Sequence, residues 1–439
     1  MMKIPGDRCL NLVILMLGFG ATGCGSAEPR NAEVAAVQES KAVDVPGPAA
    51  FQSKPLTDEE LESFAKQIDS AVAHLSSNEL GALLSPELLT REVLQGIRLS
   101  EEDRSGFQEA VRDAFQGVFA DVLKGCGSGG DYRYVRTIRR GEQRSLLFRL
   151  SLPDSAGLNY HELIVMRGAD ERPRIADLLI WKTGQRLSRT YRIANLESLI
   201  ESGGLPADLP ESDRLWLQHG AQVRTMQELT KAGQHSESLT LFQSLPEAFQ
   251  RQPEVLQARW EAAVGAGGAA LTEAGDAYQR HWADDPSMPF RELTLHEAAG
   301  RWSEMIEASD RIQRSTEDAY AAVLRVRSLL ELQQVDSAMD AIRSARTAAE
   351  ADPGVYWLQL EVQLRRGNHG ETAKLLTEMQ SRFDLDFSQL QQIPDSSAFL
   401  ASAEGQRWLA ERAQAASPEP SGSPAESPES IDAPKQTVP

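Results

Sequence analysis

LQQVDSAMDAIRSARTA, residues 332–348, decides the fold of the larger half of this chain. A turn at Gln333 leads into a stretch with apolar residues at helical spacing, and another such stretch precedes it. The same punctuation falls at Gly233, Gly267, Gly300 and Gly367, so successive marks lie 34, 33, 33 and 34 residues apart. A helix–turn–helix unit of that length cannot bury its own apolar face, and copies must stack side by side. The expectation is an all-α helical-repeat solenoid over 205–412. It would hold a partner along a concave surface lined by the first helix of each pair.

Marker positions within these units resemble tetratricopeptide repeats. Ala338 and Ala345 fall at the two small-residue sites of a second helix. Ala274 and Tyr278 stand four apart before Pro286, while Trp357 and Leu360 open a first helix. Phe242 follows Gly233, and Pro253 ends that unit. The Gly and Tyr usual within the first helix are mostly missing. The resemblance implies a module that binds protein partners.

Upstream, 57–195 has a different character. Thr57 with Glu60 predicts a capping box for a helix through about Leu75. Short helices follow near 79–84 and 86–97, then a longer one over 101–123 with Phe107, Val111, Phe115 and Val118 or Phe119 on one face. Beyond the glycine-rich stretch 125–130 the period switches to two. Strands are expected around Tyr132–Ile138, Leu146–Leu152, Tyr160–Met166 and Ile175–Trp181, with a shorter one near Leu187–Tyr191. Short turns between them make the sheet antiparallel, and its apolar face needs the preceding helices as cover. The fold class is therefore an α+β domain, helices packed on a curved antiparallel sheet, followed by the solenoid.

This order, with GLNYHELIVMR (157–167) and PRIADLLIWKTGQRLSRTYR (173–192), resembles the nuclear transport factor 2-like (SnoaL-like) cone. The resemblance implies a pocket that can pair an Asp with a His or Tyr, and the candidates are Tyr134, Tyr160, His161 and Asp177. Asp177 keeps period with Ile175, Leu179 and Trp181, so burial should raise its pKa and suit it to act as a base. The alternative is that a bulge or twist turns it outward, or that Arg174 or a Tyr hydroxyl satisfies it.

The N-terminus carries a positive start (Lys3, Arg8) and an apolar run CLNLVILMLGF at 9–19. That run is too short to span a bilayer, which takes roughly 20 residues, and suits a signal peptide. It ends in Ala21-Thr22-Gly23-Cys24, which resembles the bacterial lipobox, with Ala21 in place of the more usual Leu. The resemblance implies removal of 1–23 and lipidation of Cys24. Gly25, with no Asp at that place, implies retention at the outer membrane, facing the periplasm. An ordinary secretory signal ending near a Cys is the alternative. Residues 24–56 read as a flexible tether, and the Pro/Ser/Glu-rich 413–439 as a disordered tail. Cys126 is then the one cysteine left to the mature body, so no internal disulfide is expected.

Composition excludes several classes. A formal charge of −19 argues against nucleic acid, which needs a basic surface. The seven His show no ligand spacing, and neither a GxSxG elbow nor a Walker motif occurs. A GxGxxG match at 125–130 follows a helix and precedes a strand, the reverse of a dinucleotide site. No metal, cofactor or catalytic residue is expected. These readings converge on a lipid-anchored cell-envelope scaffold that binds proteins through its repeats. The rival is a small-ligand-binding or enzymatic role for the α+β pocket.

Overall fold

The structure is a computed structural model that describes residues 55–416, apart from 142, 153–156, 202–208, 351, 384, 386 and 388–389. The expected signal peptide, Cys24, the tether up to residue 54 and the tail from 417 lie outside the described residues.

The capping box forms as read. Thr57 N–H donates to Glu60 Oε2 at 2.8 Å, and Glu60 N–H to Thr57 Oγ1 at 3.2 Å, opening helix α1 (Asp58–Ala73). Helices α2 (Ser77–Ala82), α3 (Pro86–Val93) and α4 (Glu101–Gly127) follow, each capped by the serine before it. The last runs four residues beyond its expected end, so the first half of the glycine-rich segment is helical. Strands β1 (Asp131–Arg140), β2 (Gln143–Leu152), β3 (Gly157–Arg167), β4 (Pro173–Ile180) and β5 (Gln185–Arg186) form one antiparallel meander in chain order. Phe107, Val111, Phe115 and Phe119 of α4 join Leu146, Phe148, Leu163, Leu178 and Ile180 in a single core, so the preceding helices do cover one sheet face.

One expected strand is absent. Residues 187–191 begin helix α5 (Leu187–Glu201) instead. Asp177 supplies the reason: its carboxylate accepts from Ser188 N–H at 3.0 Å and Ser188 Oγ–H at 2.6 Å, satisfying an orphan amide of the first turn.

The helices that follow pair as the spacing predicts. They are α6 (Glu211–Lys231) with α7 (His235–Gln243) and the short α8 (Glu247–Gln250), then α9 (Pro253–Ala266) with α10 (Gly268–Trp282). Next come α11 (Met288–Ala298) with α12 (Trp302–Thr316), and a 3-10 turn (Ala319–Arg325) running into α13 (Val326–Glu331) against α14 (Val335–Ala348). The fifth pair is α15 (Pro353–Arg366) with α16 (His369–Phe383), and two more helices, α17 (Ser396–Ala401) and α18 (Ala403–Ala416), end the described chain. All five turn marks have left-handed backbone, with φ of 76° at Gly233, 68° at Gly267, 65° at Gly300, 59° at Gln333 and 67° at Gly367. Four of them close a helix with the next amide reaching back five residues, as in Gln334 N–H to Leu329 O at 2.8 Å.

Packing divides the chain into two compact units between Gln359 and Leu360. The sheet, its covering helices and the pairs through α14 are one compact unit. Two of its first-helix stretches are buried in consecutive positions, Val255–Ala258 in α9 and Tyr320–Ala322 before α13, so those turns are covered on more than one side. In the second unit, Phe399 and Trp408 pack with ring centroids 6.3 Å apart, and Phe387 lies edge-on to Trp408.

Candidate functional site

The four candidate pocket residues do not converge. Successive side chains on a strand point to opposite faces, so Tyr160 and His161 are on different sides of β3. His161 faces the helices, fully buried beside Tyr132 at 5.5 Å between ring centroids, and neither ring nitrogen has a hydrogen-bond partner. Burial pushes its pKa down to about 3, so the ring is neutral. Tyr134 is on the same side, its hydroxyl spent on Thr137 Oγ1 at 2.9 Å and its ring against Phe148.

Asp177 is on the other side. The pairing of Ile164 with Asp177 and of Val165 with Ile175 leaves Ala176 as an extra residue, so the strand bulges there. The bulge breaks the period: Ile175 belongs to the helix-covered core, and Asp177 does not. Burial raises the pKa of Asp177, against the hydrogen bonds from Ser188 and from Leu178 N–H that lower it. Its carboxylate holds the start of α5 and has no Tyr or His to work with.

What the structure does assemble is a polar seam between the second sheet face and the starts of the repeat helices. Arg149 of β2 is 2 % exposed and reaches Asp131 Oδ2 at 2.8 Å and Asp318 Oδ1 at 3.2 Å, with its guanidinium 4.2 Å from the centre of the Tyr320 ring. Tyr160 O–H donates to Asp318 Oδ2 at 2.9 Å, and burial drives that phenol's pKa far up. Asp318 also accepts from Tyr320 N–H at 3.0 Å, so a single carboxylate caps a helical turn and anchors the sheet. Asp352 repeats the device one unit later. It accepts from Gly354 N–H at 2.7 Å at the start of α15 and from Ser151 Oγ–H at 3.0 Å on β2. Asp285, one unit earlier, accepts from Ser287 N–H at 2.8 Å and abuts Gly184 in the β4–β5 turn.

A second buried arginine crosses the seam in the opposite sense. Arg291 of α11 donates to Thr183 O at 3.2 Å and Gln257 Oε1 at 2.6 Å, stacked 3.7 Å from the Tyr278 ring centre. Arg136 of β1 donates to Thr316 O at 3.0 Å and Ser315 O at 2.6 Å, carbonyls that α12 leaves unpaired at its C-terminus. Truncating one partner of such a buried pair costs roughly 3–5 kcal/mol, because the other charge is left uncompensated.

Sequence reasoning missed this row, although a signal was present. Gln252-Pro253, Asp285-Pro286 and Asp352-Pro353, with Asp318 in phase, are separated by 33, 33 and 34 residues. A capping side chain followed by Pro at the first helical position is a helix-start signature. Its targets on the sheet had no comparable signal.

Among the described residues no group of His, Cys, Asp and Glu is arranged to hold a metal, and no helix is long and apolar enough to cross a membrane. Cys126 is half-buried, its thiol pushed up to about 11 by burial, which disfavours the thiolate. Comparison with protein-family models, curated proteins and solved structures finds no match.

Proposed function

We propose that this chain is a lipid-anchored envelope adaptor, held at the outer membrane through Cys24, whose tetratricopeptide-like pairs bind a protein partner. The observation that carries the reading is the left-handed turn recurring at five marks 33–34 residues apart, each lying between two helices, with the helices on either side of the first four packed together. Arrays of this construction offer extended surfaces for protein binding. The buried stretches Val255–Ala258 and Tyr320–Ala322 take first-helix surface out of play in two of the pairs, so the partner is assigned to the outward faces of the second helices. Ser303 on α12 and Arg343 on α14 are exposed there.

The nuclear transport factor 2-like part then serves as the body that the repeats grip. A catalytic pocket draws less support, because Tyr160, His161 and Asp177 are each committed to separate surroundings. A photo-crosslinking side chain at Ser303 or Arg343 should yield one discrete adduct in cells, and one at Glu59 on α1 should not. Label from palmitate should enter the chain and disappear with Cys24→Ala. Equal adducts from all three positions, or none, would sink the adaptor reading.

A further inference from the structure

At the end of the sheet away from the seam, the bulge at Ala176 opens a recess of about 420 Å³. That volume falls within the range of small-molecule sites. Its floor is apolar, with Leu56, Ile164 and Met166 among the lining residues. Three guanidiniums line it, Arg144, Arg167 and Arg186, against two carboxylates, Glu92 and Asp177. Asp58 and Glu60 at the rim offset Arg144 and Arg167, so Arg186 is the cation whose head group faces the recess without a bonded carboxylate among the described residues.

The cations are not equivalent. Arg144 is tied to Leu56 O at 3.0 Å and Asp58 at 2.7 Å, and Arg167 to Glu60 at 2.9 Å and Glu171 O at 2.9 Å. Those bonds hold two side chains rigidly at the rim. The Arg186 guanidinium has no hydrogen bond or ion pair to a described residue, and its residue is exposed on β5. The carboxylates are largely spent. Asp177 gives its oxygens to Ser188 and Leu178, while Glu92 lies 3.7 Å from Arg91. Asp177 feels the charge of Arg186 but forms no hydrogen bond with it, and an apolar floor beside that guanidinium matches a ligand with an anionic head and a hydrocarbon body.

We infer that this recess binds a single-chain anionic amphiphile, its head on Arg186 and its tail on Leu56, Ile164 and Met166. The site is separate from the adaptor surface, so either reading can fail alone. The test uses the full chain as the unacylated Cys24→Ala form, with laurate as probe and calorimetry as readout. Laurate should bind saturably at one per chain, and dodecyltrimethylammonium, with the same tail and opposite head, at least about tenfold more weakly.

Arg186→Glu should weaken laurate about tenfold or more with an unchanged thermal melt, and Arg186→Lys should recover most of the loss. Acetate, a head without a tail, should not compete. Laurate binding that ignores Arg186→Glu, or equal binding of both detergent signs, overturns the site. Capture by phosphatidylglycerol vesicles with no saturable laurate binding overturns it too, since the chemistry would then belong to a lipid surface.

Discussion

The two faces of the sheet are built on different principles. The face toward α1–α4 is a packed apolar layer, Leu146, Phe148, Leu163 and Leu178 against Phe107, Val111 and Phe115, with His161 as its anomaly. The face toward the repeats is polar and specific: Arg149, Ser151 and Tyr160 each meet a carboxylate that also caps a helical start. Apolar contact is non-directional and fixes distance more than register. A buried ion pair with shared hydrogen bonds fixes register, at a desolvation cost that only good geometry offsets. The seam thus sets where the sheet sits on the repeats, and the helix-covered face holds the sheet together.

The largest effect should come from Arg149→Met. It leaves Asp318 and Asp131 facing each other without their cation, and a loss of about 3–5 kcal/mol is expected in urea unfolding. Adding Asp318→Asn should recover part of that loss, since the two act as one unit. A single-variant loss under about 1 kcal/mol would mean that the seam is held by packing and that the contrast between the faces is false.

His161 tests the apolar face. Its folded pKa of about 3 lies below the ordinary 6.5, so the unfolded chain takes a proton first as pH falls. Stability owed to the neutral ring is intact above pH 6.5 and drains at up to about 1.4 kcal/mol per pH unit toward pH 3. His161→Phe should change little at pH 7. By pH 4 it should gain about 3 kcal/mol on the unsubstituted chain. Parallel stability–pH curves would show that the ring is protonated in the fold.

A pair of glycines sharpens the contrast further. Gly184 and Gly233 share left-handed backbone, φ 72° and 76°. A Cβ on Gly184 would lie 2.4 Å from Asp285 Oδ1 at the seam, whereas one on Gly233 meets nothing within 4 Å. Both substitutions to Ala pay about 1 kcal/mol for the backbone. Gly184→Ala should cost about 2 kcal/mol in total, the excess coming from displacement of the Asp285 carboxylate that accepts from Ser287 in the turn before α11. Equal losses would remove Asp285 from the seam.

Legibility followed the same division. The helix-covered face, the capping box at Thr57 and the five turn marks depend on residues within a few positions of one another, and all were readable from period and spacing. The seam joins β2 and β3 to carboxylates more than 150 residues away, and no local pattern tells Arg149 from the other arginines of its hairpin. The Ala176 bulge could be read only as an alternative, because nothing in the sequence marks its position. One inserted residue put Asp177 on the opposite face from Ile175, and a two-residue period counted straight through it. The α5 start was missed for the same reason, because its cap comes from a neighbouring strand instead of the residue before the helix.

The smallest expected effect tests the readable side of that division. Gln333 has φ 59° at a position where the other four marks carry glycine, and the helix-closing bond from Gln334 N–H to Leu329 O forms regardless. Its Cβ pays for left-handed backbone, a penalty of roughly 1 kcal/mol that glycine avoids. Glycine also loses more freedom on folding, which offsets part of the gain. Gln333→Gly should therefore stabilise by about 0.5 kcal/mol in urea unfolding, with an unchanged denaturant slope. If it destabilises by more than about 1 kcal/mol, the Gln333 side chain is holding something local. The turn marks would then be places where side chains matter, and the repeat could not be read from backbone punctuation alone.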